Sequence, residues 1–264
     1  MSKIEEKFRE LRERNQKALI TFITAGDPSL SVTEKLVYEM EKAGADIIEL
    51  GVPFSDPLAD GPTIQASHLR ALEGEVSAKD VFRLITKIRK KSKIPIALLV
   101  SYNLLISYGV DRFLESASRS KVDGLIVPDL PPEEAIYLKG IAKAEGIDTV
   151  FLVAPTSTEK RIKDVSEAST GFIYLVSLTG ITGARKEIST EVKDLAEKLR
   201  AKTDKPIAVG FGISKPEHVK EICKIADGAI VGSAIIKVIE NNLKKKTLVK
   251  TVGDFVKKLK SATK

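Results

Sequence analysis

The chain has 264 residues, with Lys+Arg 43 against Asp+Glu 36 for a net charge of +7, and it is 43% hydrophobic and 30% charged. That balance excludes a disordered chain, and the single cysteine, Cys223, excludes an internal disulfide or a Cys-rich zinc site. The two histidines, His68 and His218, lie too far apart in sequence to suggest a metal motif.

The excess positive charge gathers near the C-terminus, at Lys244, Lys245, Lys246, Lys257, Lys258 and Lys260. Without Trp, and with 5% aromatics, it reads as a solvated helical face and not as a nucleic-acid surface. No apolar run reaches the roughly 18 residues of a membrane helix. The opening MSKIEEKFRELRER lacks the apolar core of a signal peptide, so a cytoplasmic location is expected.

Taken in chain order, Ser2–Arg14 is amphipathic and predicts an extra helix at the bottom of a barrel. Eight short apolar, β-branched runs then recur: Ala18–Thr24, Asp46–Gly51, Ile94–Val100, Asp123–Val127, Thr149–Ala154, Phe172–Val176, Pro206–Gly210 and Gly228–Val231. Their unbroken apolar character fits strands buried on both faces, as in a parallel sheet.

Stretches of helical period separate them: Leu36, Met40 and Ala43; Val81, Leu84, Ile85 and Ile88; Ile136, Lys139 and Lys143, on the mixed face of a third; Leu195 and Leu199. Ser29 or Ser31, Ser157, Thr190 and Ser214 are plausible helix caps. A last helix is expected over Leu248–Lys260, with Val249, Val252, Val256 and Leu259 on one face.

Eight strand-then-helix beats predict a (β/α)8 barrel in one domain over 1–264. A doubly wound sheet is the alternative, but the first turn, Thr24-Ala25-Gly26-Asp27-Pro28, lacks its Gly-rich fingerprint. Two loops are extended, Val52–Leu72 after the second strand and Ser177–Ser189 after the sixth. Both leave the carboxyl ends of strands, where the chemistry of such barrels sits.

Glu49 is the one acid inside an otherwise apolar strand, and its neighbours Ile48 and Leu50 point the other way. A carboxylate so placed is either a catalytic acid or a buried structural partner. Asp56 and Asp60 follow in the Pro/Asp/Gly-rich loop from that strand. Turn formation accounts for at least one of them, yet a second carboxylate over the barrel mouth would allow acid and base steps at one pH.

Gly210-Phe211-Gly212 ends the seventh strand. Gly232-Ser233 ends the eighth and opens a helix over Ala234–Asn241. With Gly183 in the sixth loop, these residues fit a phosphate site of backbone N–H groups and a helix N-terminus.

The stretch Glu-Leu-Gly-Val-Pro-Phe-Ser-Asp-Pro-Leu-Ala-Asp-Gly-Pro-Thr-Ile-Gln at 49–65 resembles the signature of the tryptophan synthase alpha chain family. Phe22–Pro28, Val127–Glu134, Ser177–Gly183 and Val209–Ser214 extend the resemblance over nearly the whole chain. It implies a lyase that cleaves indole-3-glycerol phosphate to indole and glyceraldehyde 3-phosphate. Glu49 would be the acid/base and Asp60 the second carboxylate.

On the same resemblance the indole pocket would be lined by Phe22, Leu99, one of Leu125, Ile126 or Val127, Tyr174 and Phe211. Gly183, Gly212, Gly232 and Ser233 would hold the phosphate, and Thr182 would sit in a closing loop. Pro53, Asp56 and Asp129 would face a beta chain in an α2β2 complex. That beta chain carries pyridoxal phosphate, and no cofactor is expected in this chain. Ser101 stands where some family members carry an aromatic residue.

The chemistry implied is a retro-aldol cleavage, which needs an electron sink. No lysine lies inside a predicted strand apart from Lys17, Lys93 and Lys205 at strand edges, so a Schiff base is not signalled. The indole ring itself can serve, once protonated at C3. Two other readings stay open from the residues alone: another barrel enzyme acting on a phosphorylated sugar, and a subunit that mainly activates a partner.

Overall fold

The computed structural model describes residues 1–57, 60–176, 189–210 and 212–264. Nine parallel strands follow one another round a ring: β1 (Ala18–Thr24), β2 (Ile47–Gly51), β3 (Ile96–Leu99), β4 (Gly124–Ile126), β5 (Asp148–Val150), β6 (Leu152–Val153), β7 (Ile173–Val176), β8 (Ile207–Gly210) and β9 (Gly228–Val231). β5 pairs with β4, and β6 pairs with β7. These two are halves of one run hinged at Phe151, so the eight expected strands close a TIM barrel.

Side chains alternate as the pleat requires. On β2, Ile47 joins the barrel interior, whereas Ile48 and Leu50 join the outer layer beneath the helices.

Helix α1 (Lys3–Glu13) starts at a Ser2/Glu5 capping box and buries Ile4, Phe8 and Leu11. These fill the barrel bottom against Ile20, Ile47, Ala97, Ile126, Val150 and Phe172. The rings of Phe8 and Phe172 lie 5.8 Å apart. The bottom rim is tied by a repeated device: an aspartate at a strand entrance accepts the N–H that opens the neighbouring strand. Asp46 accepts Leu19 N–H at 2.7 Å, Asp123 accepts Ile96 N–H at 2.9 Å, and Asp227 accepts Ile207 N–H at 3.0 Å.

The outer helices follow their apolar stripes: α2 (Leu30–Lys42), α3 (Pro62–Glu73), α4 (Ala78–Ile88), α5 (Tyr102–Tyr108), α6 (Val110–Arg119), α7 (Ile136–Ala144), α8 (Glu159–Ala168), α9 (Thr190–Arg200), α10 (Pro216–Cys223), α11 (Ser233–Glu240) and α12 (Leu248–Lys260). Among these described residues no helix is long and apolar enough to cross a membrane.

Several local expectations are corrected. The stretch Val52–Leu72 is a loop only to Gly61; Pro62 then occupies the first helical position of α3, where its missing N–H costs nothing. On the mixed face of α7 Ile136 is exposed, and the helix buries Leu138 and Ala142 on its other face. The caps of α8, α9 and α10 are Thr158, Ser189 and Lys215 and not Ser157, Thr190 or Ser214. Ser29 caps α2 as expected. The long loop after the sixth barrel strand falls on 177–188, outside the described residues.

Candidate active site

A cavity of about 530 Å³ opens at the carboxyl ends of the strands. Glu49, near the end of β2, projects into it and is only 2% exposed. Its register partners are Phe22 on β1 and Ala97 on β3, both apolar. Among the described residues, Oε2 of Glu49 has no hydrogen-bond partner. Loss of water pushes the Glu49 carboxyl up to about 8, and the negative charge of Asp60 adds to this. At neutral pH Glu49 is therefore mostly protonated, a carboxylic acid facing an apolar hollow.

Asp60 lies at the end of the loop from β2 and lines the same cavity. Its backbone N–H donates to Pro57 O at 3.0 Å, and its carbonyl accepts Gln65 Nε2 at 2.8 Å. The loop is thereby folded back onto α3. The α3 helix is in turn pinned to β1, because Ser67 Oγ and Thr24 Oγ1 share a hydrogen bond of 2.6 Å.

The walls between the acids and the far end are apolar. Phe22, Leu99 and Tyr174 line the cavity, joined by Ile64, Leu152, Val176, Ile213 and Ile230. Burial, together with Glu49 and Asp60, raises the Tyr174 hydroxyl well above its ordinary value, so Tyr174 stays neutral. Gly210 makes room for this ring: a Cβ there would lie 2.6 Å from Tyr174 Oη.

Of Leu125, Ile126 and Val127, none lines the cavity. Leu125 and Val127 pack outward and Ile126 packs into the barrel interior, while Pro128 supplies that part of the wall. Phe211, Thr182 and Gly183 lie outside the described residues.

The far end is polar. Gly212, with φ +73°, Ser214, Gly232, Ser233 and Ala234 line it. The α11 helix begins there with Gly232 as cap residue and, among the described residues, no side chain bonded to its first N–H groups. Those donors, with the positive end of the helix dipole, suit an anion. Lys237, one turn beyond Ser233, also lines the cavity and adds a cation that the sequence reading missed. Its helical spacing of four from Ser233 was the available signal.

The three expected interface residues lie apart from this polar end. Asp56 and Asp129 are exposed and flank a smaller hollow of about 150 Å³ beside the main cavity. Pro53 is buried in the chain's own packing. Asp129 caps α5, accepting Tyr102 N–H at 2.9 Å and Ser101 Oγ at 2.9 Å. Ser101 thus serves a cap and adds no aromatic wall.

Two carboxyl groups at one end of an apolar slot, and helix-terminus amides at the other, define a barrel enzyme for a phosphorylated substrate with an apolar body.

The family model for the tryptophan synthase alpha chain matches residues 8–264, and the chain belongs to that family. A relative from Citrifermentans bemidjiense, named tryptophan synthase alpha chain, is 47% identical over 260 residues, covering 98% of this chain and 97% of its own. One from Caldanaerobacter subterraneus is 48% identical, covering 98% and 99%. Among solved structures, the alpha subunit from Legionella pneumophila superposes with a TM-score of 0.92 at 34% identity, covering 100% of this chain and 98% of that one. A chain of the tryptophan synthase α2β2 complex from Pyrococcus furiosus gives 0.87 at 42%, covering 92% and 98%.

Proposed function

We propose that Glu49 and Asp60 carry out the retro-aldol cleavage of indole-3-glycerol phosphate to indole and glyceraldehyde 3-phosphate, in one domain spanning 1–264. The observation that carries this reading is the buried Glu49 carboxyl, with Oε2 unpartnered among the described residues, at the apolar end of a slot whose other end offers amide donors. The phosphate sits at Gly212, Gly232 and Ser233, with Lys237 beside it. That anchors the glycerol chain so that the indole reaches Phe22, Leu99 and Tyr174.

Glu49 gives its proton to C3 of the indole, leaving a C=N⁺ bond in the five-membered ring. The negative charge of Asp60 stabilises the cation at N1. The glycerol hydroxyl then loses its proton to the Glu49 carboxylate. The C3–C bond breaks, its electrons return to the ring, and the glycerol carbon becomes an aldehyde. The proton that left Glu49 is replaced by the one it accepts, so the acid is regenerated.

The chain works as the alpha subunit of tryptophan synthase, docking on a beta chain through the face that carries Asp56 and Asp129. Pyridoxal phosphate belongs to that beta partner, and the location is cytoplasmic.

Supplying indole-3-glycerol phosphate to the purified chain, with and without the beta partner, should release indole, followed by absorbance. Asp60→Asn should cut kcat at least ~10²-fold, the scale of one lost transition-state electrostatic contact. Undiminished turnover in a folded Asp60→Asn protein would remove Asp60 from the mechanism. Gly210→Ala should push Tyr174 into the slot at an overpacking cost of about 1–3 kcal/mol, seen as a KM raised about tenfold or more; an unchanged KM would place the substrate elsewhere.

A further inference from the structure

His68 is buried, 2% exposed, on the second turn of α3, and none of the steps above uses it. Its Nδ1 accepts the backbone N–H of Phe54 at 3.3 Å. An accepting Nδ1 carries no proton, so the neutral ring holds its proton on Nε2. Nε2 faces Asp60 Oδ2 at 3.4 Å, without the alignment of a formed hydrogen bond and, among the described residues, with no other partner. One imidazole thus touches both ends of the loop from β2, its start at Phe54 and its carboxylate at Asp60.

The platform beneath it is rigid. Ser67 bonds Thr24 at the end of β1, and Arg70 bonds Asp27 beyond it through two hydrogen bonds of 2.7 and 2.9 Å. Among the described residues, the other ionisable groups around the pair are Glu49 on β2, Tyr174 on β7, Asp56 on the same loop, Asp129 after β4 and Lys237 on α11.

We propose that His68 is a positioning residue that holds Asp60 over the cavity, occupying Oδ2 so that Oδ1 is aimed at the ring N–H of the substrate. This rests on Asp60 being the second carboxylate. His68 lines the smaller hollow that Asp60 shares with the main cavity, and not the main cavity itself, so it acts through Asp60, on kcat more than on KM. Positions held by a second layer of contacts commonly cost 10–100-fold when that layer is removed, by analogy with ligand-orienting partners at metal sites.

Two polar replacements separate the two contacts. His68→Asn keeps an acceptor near the Nδ1 position for Phe54 but cannot reach Asp60. His68→Gln carries an amide N–H₂ out to the Nε2 position. His68→Asn should lower kcat about tenfold or more with KM changed by less than about threefold, and His68→Gln should stay within about threefold of the parent kcat. In an Asp60→Asn background, His68→Asn should change kcat by less than about twofold, because the group it positions is gone.

Equal activities for the Asn and Gln variants would overturn the proposal. So would a His68→Asn loss of the same size with and without Asp60, which marks a purely structural residue. Asp60→Asn with full turnover would instead sink the role of Asp60 itself. An inactive Asp60→Asn beside a fully active His68→Asn would sink only the role of His68.

Discussion

Glu49→Gln is expected to lower kcat for indole release by about 10²–10⁴-fold, the usual worth of a positioned general acid–base, with KM much less affected. Gln keeps the shape and polarity of the side chain in its apolar slot but can neither give nor take the proton. In the parent protein, kcat/KM should fall as pH rises through about 8, where burial and Asp60 place the Glu49 titration. Indole release by Glu49→Gln at more than a tenth of the parent rate would assign the proton transfer to another group.

The same carboxyl also fixes a stability signature. Its folded pKa is raised from 4.5 to about 8, so between those values the folded state binds more protons than the unfolded chain. The contribution of Glu49 to stability therefore declines as pH rises from about 4.5 and levels off above about 8. Glu49→Gln removes this penalty. Its Tm should exceed that of the parent above pH 8, and the gap should close on acidification toward 4.5. A Tm difference independent of pH would mean that the carboxyl is not desolvated. Lost activity with gained alkaline stability is the expected mark of a catalytic group held in an unfavourable environment.

How much of this was visible in the sequence depended on the range of the interactions. The strands at Ala18–Thr24 and Gly228–Val231 were legible to the residue, since runs buried on both faces and bounded by turn residues leave little else. The break at Phe151 was not, because it comes from the sheet's need to pair one run with two neighbours as the ring closes. α3 was hidden by Pro62 and the Asp/Gly cluster before it, which read as turns until the proline is seen at the first helical position.

Glu49 and Asp60 stood out for different reasons. An acid in an apolar strand is conspicuous from composition alone, whereas Asp60 needed the quoted resemblance to separate it from Asp56. Pro128 replaced Leu125–Val127 in the wall because the pleat decides which side chain faces inward, and the inward set there ends below the cavity. His68 carried no sequence signal beyond being a histidine. Its meaning arises only when the loop folds back and sets Phe54 and Asp60 on either side of its ring.

Arg70→Ala is expected to destabilise the fold by about 3–5 kcal/mol, the cost of leaving a buried charge without its partner. Asp27 has no exposed surface, and Arg70 meets it in a two-pronged pair, Nε to Oδ1 at 2.7 Å and a terminal nitrogen to Oδ2 at 2.9 Å. The third edge of the guanidinium reaches Glu240, at the end of α11, at 3.5 Å. One side chain therefore ties the turn after β1 to α3, which follows Asp60 directly, and to α11, which begins at Ser233.

A lysine cannot form the paired geometry, so Arg70→Lys should recover only part of the stability. Asp27→Asn in the Arg70→Ala background should restore more, because it removes the stranded charge and leaves an amide. Because the acid end and the polar end of the cavity both lean on this residue, Arg70→Ala should also raise KM while the protein is still folded. Urea unfolding of the three variants checks the order. A loss below about 1 kcal/mol for Arg70→Ala would put the pair among ordinary surface ion pairs, and the alignment of α3 with α11 would then have to come from their apolar packing alone.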